Sequence, residues 1–376
     1  MTAYFDNSAT TKPCDEALAA ARFAAEECWG NPSSLHSRGI EAAALLKKAR
    51  RQVAALIGCP DDRFFFTSSG TTANNTAIFG VCERLKKRGR RIVTTAIEHP
   101  SVLEPMKRLQ AQGFDVVFLS PGKDGAVSVE AFREAITPDT ILVSCMAVNN
   151  EVGSVMPVAA VRDAIRDAGA PAVLHADCVQ ALGKIDVSPR ALGADIITVS
   201  GHKIHALKGV GGLYLASDNL LHPYVLGGGQ EKGVYSGTEP TPAIASFGAA
   251  AEAARDLSGN AAKVAAMKAR FLDAVRELPC VRVNSADSAL PYIVNLSVLG
   301  LPSQPLVNAL SERGVCVSAG SACKAGRRSH VLTAMDLPPA IIDSAVRVSF
   351  SRLNTGAEVD ALIAAFCEVA AKYGKK

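Results

Sequence analysis

Between residues 63 and 215 the chain alternates short apolar, β-branched runs with longer stretches of helical pattern. No other feature narrows the fold as much. The runs centre near Phe64, Ile92, Val116, Ile141, Val173 and Ile196, and the last comprises Gly212, Leu213, Tyr214 and Leu215. Strands that alternate with helices in this way form a mainly parallel, doubly wound sheet, so the fold class is α/β. Such sheets gather their working groups at the carboxyl ends of the strands. Thr67, His99, Asn150, Asp177 and Lys203 all fall there.

The flanking regions read differently. Residues 15–27 form an alanine-rich helix that ends in the turn residues Gly30-Asn31-Pro32. A second helix is expected over 39–57, stopping at Gly58 with Pro60 just beyond. From about residue 261 the pattern changes. Val264, Met267, Phe271, Val275 and Leu278 mark one face of a helix. Strands near Val281 and Ile293, a helix over 306–313, a strand near Val346 and a helix from Glu358 follow. This is the outline of a smaller α+β domain.

Composition excludes several classes of function. At 376 residues the chain is long enough for two or three domains. The net charge is only +4, and Lys/Arg are interspersed with Asp/Glu, so no basic stripe offers itself to nucleic acid. No apolar run approaches the roughly 20 residues needed to span a membrane. The N-terminus lacks a basic region followed by an apolar core, and a cytoplasmic location is expected. The ten cysteines contain no CxxC pair and spell no zinc site, so most are expected to be reduced, buried and structural.

Three stretches carry chemistry. Val199-Ser200-Gly201-His202-Lys203 puts a lysine at a strand end, on a turn opened by Gly201. Partial desolvation there favours the neutral amine, the form that attacks carbonyls. Alone, Lys203 reads as readily as a loop lysine. Val173-Leu174-His175-Ala176-Asp177 ends in a carboxylate, which alone reads as a turn or capping residue. Together the two suit pyridoxal phosphate: the lysine binds the aldehyde covalently and the aspartate keeps the ring nitrogen protonated. Residues 63–67 read as a strand, Ser68-Ser69-Gly70-Thr71-Thr72 as a turn and 73–87 as a helix. Small and hydroxyl residues at a helix start offer donors to a phosphate, although they also cap ordinary helices.

In this order the stretches resemble the pyridoxal-phosphate-dependent cysteine desulfurases of the class V aminotransferase family. The likeness runs from Phe5-Asp6-Asn7-Ser8-Ala9-Thr10-Thr11 to Arg347-Val348-Ser349-Phe350-Ser351-Arg352. Its most specific parts are Gly30-Asn31-Pro32, Glu98-His99, Asn149-Asn150-Glu151-Val152-Gly153, Ser200-Gly201-His202-Lys203, Ser236-Gly237-Thr238 and Gly320-Ser321-Ala322-Cys323. The resemblance implies fold type I of the pyridoxal phosphate enzymes. A large doubly wound, mainly parallel domain would cover 15–255. A smaller α+β domain would comprise 1–14 and 256–376 and carry a catalytic cysteine loop.

The resemblance also implies roles. Lys203 would carry the cofactor and His99 would lie against its ring. Gln180 and Asn150 would contact the ring's phenolate side. Gly70, Thr71, Ser200 and His202 would hold the phosphate, with Thr238 reaching it from a second subunit of a homodimer. Arg347 and Asn31 would bind the carboxylate of L-cysteine. Read by itself, Arg347 in an apolar strand needs a carboxylate partner, for which an internal ion pair is the lesser alternative to a substrate, and Arg352 reads as structural. Cys323 would take the substrate sulfur as a persulfide, leave alanine, and pass the sulfur to an acceptor or scaffold protein of iron–sulfur cluster, thiamine or tRNA thiolation pathways. It would also serve as a transient iron–sulfur ligand. Lys324, Arg327 and Arg328 are expected to favour its thiolate. Cys316, in an apolar strand, is expected to be buried.

Two departures stand out. After Cys323 the chain reads Lys324-Ala325-Gly326-Arg327-Arg328-Ser329-His330, shorter and more basic than the family's usual Leu-Glu-Pro-Ser-like segment. After Lys203 it reads Ile204-His205-Ala206-Leu207-Lys208-Gly209 where the family usually has Tyr-Gly-Pro-Lys-Gly, and the turn is expected to be less rigid without the proline. Two rival readings stay open: a selenocysteine lyase or other class V pyridoxal phosphate enzyme, and a cofactor-binding sulfur scaffold without turnover.

Overall fold

The computed structural model describes residues 2–319 and 328–374. Seven strands form its main sheet, in the order Phe64–Thr67, Gly211–Leu215, Ile196–Ser200, Val173–Asp177, Thr140–Met146, Arg91–Thr95 and Asp115–Leu119. All neighbours from Ile196–Ser200 to Asp115–Leu119 are parallel, and helices connect most of them. Gly211–Leu215 runs antiparallel to both of its neighbours. The short connection 201–210 explains this, since a parallel return needs a crossover of a dozen residues or more.

The strands read as continuous apolar runs because both faces of the sheet are covered. Alternate residues enter two separate cores. Phe64, Val93, Val143, Leu174 and Ile197 join one, while Phe65, Ile92, Leu142, Val173 and Ile196 join the other. The carboxyl ends of five strands, at Thr67, Thr95, Met146, Asp177 and Ser200, therefore share one edge.

A second, antiparallel sheet has the order Ser318–Ala319, Ala345–Ser349, Ile293–Val298 and Val281–Val283. Helices Leu257–Arg276 and Ser303–Glu312 pack against its strands, and Gly356–Tyr373 packs against both of those helices. The last opens with a capping box. Glu358 N donates to Thr355 Oγ1 at 3.3 Å and Thr355 N donates to Glu358 Oε2 at 2.8 Å. The N-terminal strand Ala3–Tyr4 pairs in parallel with Val315–Cys316, so the chain start lies beside this C-terminal region.

Several boundaries differ from expectation for local reasons. The helix placed at 73–87 is Gly70–Leu85, because Ser69 is its N-cap and accepts from Thr72 N at 3.1 Å. That moves Gly70 and Thr71 from a turn into the first helical turn. The helix placed at 39–57 is Ser37–Ile57, capped by the His36 ring. Arg63 belongs to a short 3-10 turn after Pro60, not to the strand. Cys316 is half-buried rather than buried.

Candidate active site

Lys203 closes the turn Gly201–Lys203 that leaves strand Ile196–Ser200. Its Nζ donates to Ser8 O at 2.5 Å and Ala9 O at 2.8 Å. The N-terminal segment is laid against this turn: Thr11 N and Thr11 Oγ1 both donate to His202 O, at 3.0 and 2.8 Å. The turn that lacks the family's proline is fixed by His205, contrary to the expected loss of rigidity. His205 takes φ +75°, a left-handed conformation unusual for a residue with a Cβ. Four hydrogen bonds hold it there. Its N–H donates to Thr11 Oγ1, its carbonyl accepts from Cys14 N, Nδ1 donates to Lys12 O, and Nε2 meets Ser351 Oγ at 2.7 Å. Burial, then the charges of Arg352 and Lys184, keep this ring near 4 and so neutral.

Asp177 ends the neighbouring strand and is buried. Its Oδ1 accepts from Val179 N at 2.9 Å and its Oδ2 from Asn74 Nδ2 at 2.8 Å. Asn74 is the junction of a buried network that the sequence reading did not single out. Its Oδ1 accepts from Thr198 Oγ1, and Thr198 Oγ1 meets His175 Nε2 at 3.1 Å. The Asn74 amide also donates to Ser101 Oγ, which reaches His99 Nδ1 at 2.8 Å. Ser101 N donates to that same Nδ1, so the proton of the neutral His99 ring sits on Nε2. Burial pulls His99 below its ordinary value against the pull of Asp177, and Lys203 adds to the lowering. The available signal was the Asn74-Asn75 pair in a helix whose neighbouring positions Ala73, Ala77 and Ile78 are apolar.

At the other end stands the N-terminus of Gly70–Leu85, a helix long enough to present its first-turn N–H groups, of which that of Thr72 is taken by Ser69 Oγ. Ser200 packs against it: a Cβ on Gly70 would lie 2.9 Å from Val179 Cγ2 and 3.2 Å from Ser200 Cβ. His202 is half-buried, and burial followed by the charges of Lys203 and Lys208 holds it near 4.

Asn150 and Arg347 meet at the edge shared with the second sheet. Arg347 Nη1 donates to Asn150 O at 2.9 Å. Its Nη2 pairs with Asp6 Oδ1 at 2.9 Å, which is the internal ion pair that its buried position required. Arg347 Nε and Asn150 Oδ1 are buried without a hydrogen-bond partner among the described residues. Gln180 is buried, its Nε2 donating to Ser8 O at 2.9 Å.

The structure therefore brings Gly70, His99, Asn150, Asp177, Gln180, Ser200, His202, Lys203 and Arg347 to one edge, with Thr71 exposed beside Gly70. Asn31 is exposed, its Oδ1 accepting from Ser33 N, and Thr238 is exposed on a loop. Cys323, with Lys324 and Arg327, lies outside the described residues. Arg328 does not stand free to favour a thiolate, since Asp343 binds it through two bonds of 2.7 and 2.8 Å. Among the described residues no cluster of His, Cys, Asp and Glu is placed to hold a metal ion. None of their helices is long and apolar enough to cross a membrane.

These groups fit pyridoxal phosphate. An amine and a carboxylate sit at adjacent strand ends, a helix start is pared down to glycine beside a serine, and the buried Asn150 side-chain amide has an atom without a partner among the described residues.

Comparison with known proteins agrees with that geometry. Residues 3–362 match the model of the family described as "Aminotransferase class-V". The chain is 37% identical to "Cysteine desulfurase 2" of Trichormus variabilis, over 96% of this chain and 91% of that protein. A solved "NIFS-LIKE PROTEIN" superposes with a TM-score of 0.93 at 36% identity, covering 99% of this chain and all of the other. The structure titled "SspA in complex with cysteine" has a TM-score of 0.83 at 31% identity, covering 94% of this chain and all of that one. The chain belongs to the aminotransferase class-V family.

Proposed function

We propose that the protein is a pyridoxal-phosphate-dependent cysteine desulfurase, which converts L-cysteine to L-alanine and leaves the sulfur as a persulfide on Cys323. The placement of the Lys203 amine and the Asp177 carboxylate at adjacent strand ends carries this reading. The family and its cysteine desulfurase relatives support it. When bound, pyridoxal phosphate supplies a ring that accepts the electron pair left when a proton leaves Cα.

This chain's residues do the rest. Lys203 holds the cofactor covalently and then moves the Cα proton. Asp177, fixed by Asn74 and Val179 N, faces the ring nitrogen and keeps its proton in place. His99 lies against the ring. Gly70, Thr71, Ser200 and His202 bind the phosphate, and Thr238 reaches it from a second copy. Gln180 and Asn150 orient the ring's phenolate side, to which their side-chain amide N–H groups donate. Arg347, through its unpartnered Nε, and Asn31 hold the substrate carboxylate.

The Cys323 thiolate attacks the substrate sulfur. An S–S bond forms, the bond from sulfur to Cβ breaks, and its electron pair stays on carbon and takes up a proton to give alanine. No external oxidant or reductant is needed. The chain would then be a cytoplasmic homodimer of two-domain subunits, divided into 15–255 and the remainder. It hands sulfur to an acceptor or scaffold protein of iron–sulfur cluster assembly, thiamine or tRNA thiolation pathways, and Cys323 acts as a transient cluster ligand. Neither nucleic acid nor a membrane is a direct partner.

The test adds L-cysteine to the purified yellow protein and measures alanine, after borohydride has fixed the cofactor in a parallel sample. The expected outcome is stoichiometric alanine and cofactor on the Lys203 peptide. Cofactor on Lys208, or no alanine, overturns the reading.

A further inference from the structure

A buried cationic cluster adjoins Lys203 that the reaction above leaves unused. A cavity of about 20 Å³ is lined by Lys184, Lys203, His205, Tyr292, Ser351 and Arg352, among others. Lys184 is only 9% exposed and forms no ion pair with a carboxylate among the described residues. Its Nζ donates to Gln180 Oε1 at 3.2 Å and lies 5.6 Å from the centre of the Tyr292 ring. Tyr292 Oη, Arg352 Nε and Arg352 Nη2 are buried without hydrogen-bond partners among the described residues. The cluster is thus rich in donors and positive charge.

A buried ammonium without a counter-ion is costly, and an apolar residue of the same length would remove that cost. Its contacts show what it supplies instead. An ammonium group only donates, so Gln180 must turn its oxygen toward Lys184 and its amide nitrogen toward Ser8 O. Ser8 O accepts at once from Gln180 Nε2, at 2.9 Å, and from Lys203 Nζ, at 2.5 Å. Two hydrogen-bonded groups therefore join the two lysines. Two like charges held this close each disfavour the charged form of the other.

We propose that Lys184 is a positioning residue for Lys203: through Gln180 and the Ser8 carbonyl it fixes the site's geometry, and its charge favours the neutral form of the Lys203 nitrogen. The inference rests on Lys203 carrying the cofactor. Burial, then the charges of Lys203 and Arg347, lower Lys184 itself to about 7. Among the described residues, the charged and titratable groups facing the two lysines are Tyr292, His99, His202, His205, Arg347 and Arg352. The carboxylates in their surroundings are Asp6, bound to Arg347, and Asp177, bound by Asn74.

The experiment titrates the visible absorption of the holoenzyme against pH, without substrate. The band reports protonation of the covalent lysine–cofactor nitrogen. Removing a neighbouring cation makes that nitrogen easier to protonate, so Lys184→Met is expected to raise the midpoint by about one pH unit. Lys184→Arg, which restores the charge, is expected to stay within about 0.3 unit of the parent. Lys268→Met removes a lysine of similar exposure that donates to the Ala289 and Leu290 carbonyls, and it should leave the midpoint unchanged. If Lys184→Met does not fold with cofactor, Lys184→Gln is judged by the same shift. A midpoint unchanged in the uncharged variant, or moved as far by Lys268→Met, overturns the proposal. Failure of borohydride to fix cofactor on wild-type Lys203 is a different result, and it removes the functional reading itself.

Discussion

The two halves of the proposed chemistry are built in opposite ways. On the cofactor side, Asp177, Asn74, Ser101, His99, Thr198 and His175 form one buried network in which each group is oriented by the next. On the sulfur side the proposal assigns the work to one thiol, Cys323, and the structure describes how the chain is anchored on either side of it, Ser318–Ala319 pairing with Ala345–Ser349 before it. Arg328 is clamped by Asp343, Ser329 Oγ donates to Glu151, and His330 Nε2 donates to Glu98 O at 3.0 Å. The contrast follows from the task. Holding a proton on a ring nitrogen needs a fixed electrostatic environment, which takes many groups. Carrying a sulfur atom needs one nucleophile. Damage to the network should therefore be graded, and damage at the cysteine should be all-or-none.

The largest graded effect is expected for Asp177→Asn. Removing one charged partner from a buried hydrogen-bonded pair costs about 2–5 kcal/mol, roughly 30-fold to several thousand-fold in turnover. Exchange of the substrate's α-proton with solvent measures it, and a near wild-type rate would remove Asp177 from its role.

His205→Gly should cost stability rather than chemistry. Glycine accepts the φ of +75°, but Lys12 O and Ser351 Oγ lose their partner, at about 1–3 kcal/mol by urea unfolding. The pH dependence has a definite sign. The folded-state pKa of His205 is depressed to about 4, below the ordinary histidine value. Its stabilising contribution is complete above about pH 6.5 and is lost as pH falls through about 4. The stability gap between wild type and His205→Gly should therefore narrow across that window. A gap that widens toward acid would contradict the neutral assignment.

The smallest effect is expected at Arg328. Asp343 already neutralises it, and both are exposed, so Arg328→Ala should move the pH profile of Cys323 alkylation by less than about 0.3 unit. A shift of a full unit would mean that Arg328 activates the thiol after all.

What the sequence disclosed follows the same division. Lys203 and Asp177 were legible because a doubly wound sheet puts chemistry at strand ends, and strand ends can be counted from apolar runs, whereas the helix beginning at Gly70 was read as starting at 73. Cys323 was legible only through its motif. Asn74, Ser101, His175 and Thr198 were not singled out, since a polar residue inside a helix or strand shows no partner until the chain is folded. Arg347 was expected to need a carboxylate. That partner, Asp6, is 341 positions away, a pairing that no local pattern encodes. The turn after Lys203 was misjudged for a related reason. The absent proline is visible in sequence, but the four bonds that hold His205 come from residues 11–14 and 351.

The central claim is that sulfur leaves the substrate by way of Cys323 while the cofactor site works without it. Cys323→Ala, mixed with L-cysteine, tests this most directly when spectrum, alanine and intact protein mass are read in one sample. The account predicts that the visible band still changes on adding substrate. Alanine falls to background, and the mass gain of one sulfur atom seen in wild type disappears. Alanine released at the wild-type rate by Cys323→Ala would contradict it and would favour a lyase or transaminase that does not use this thiol.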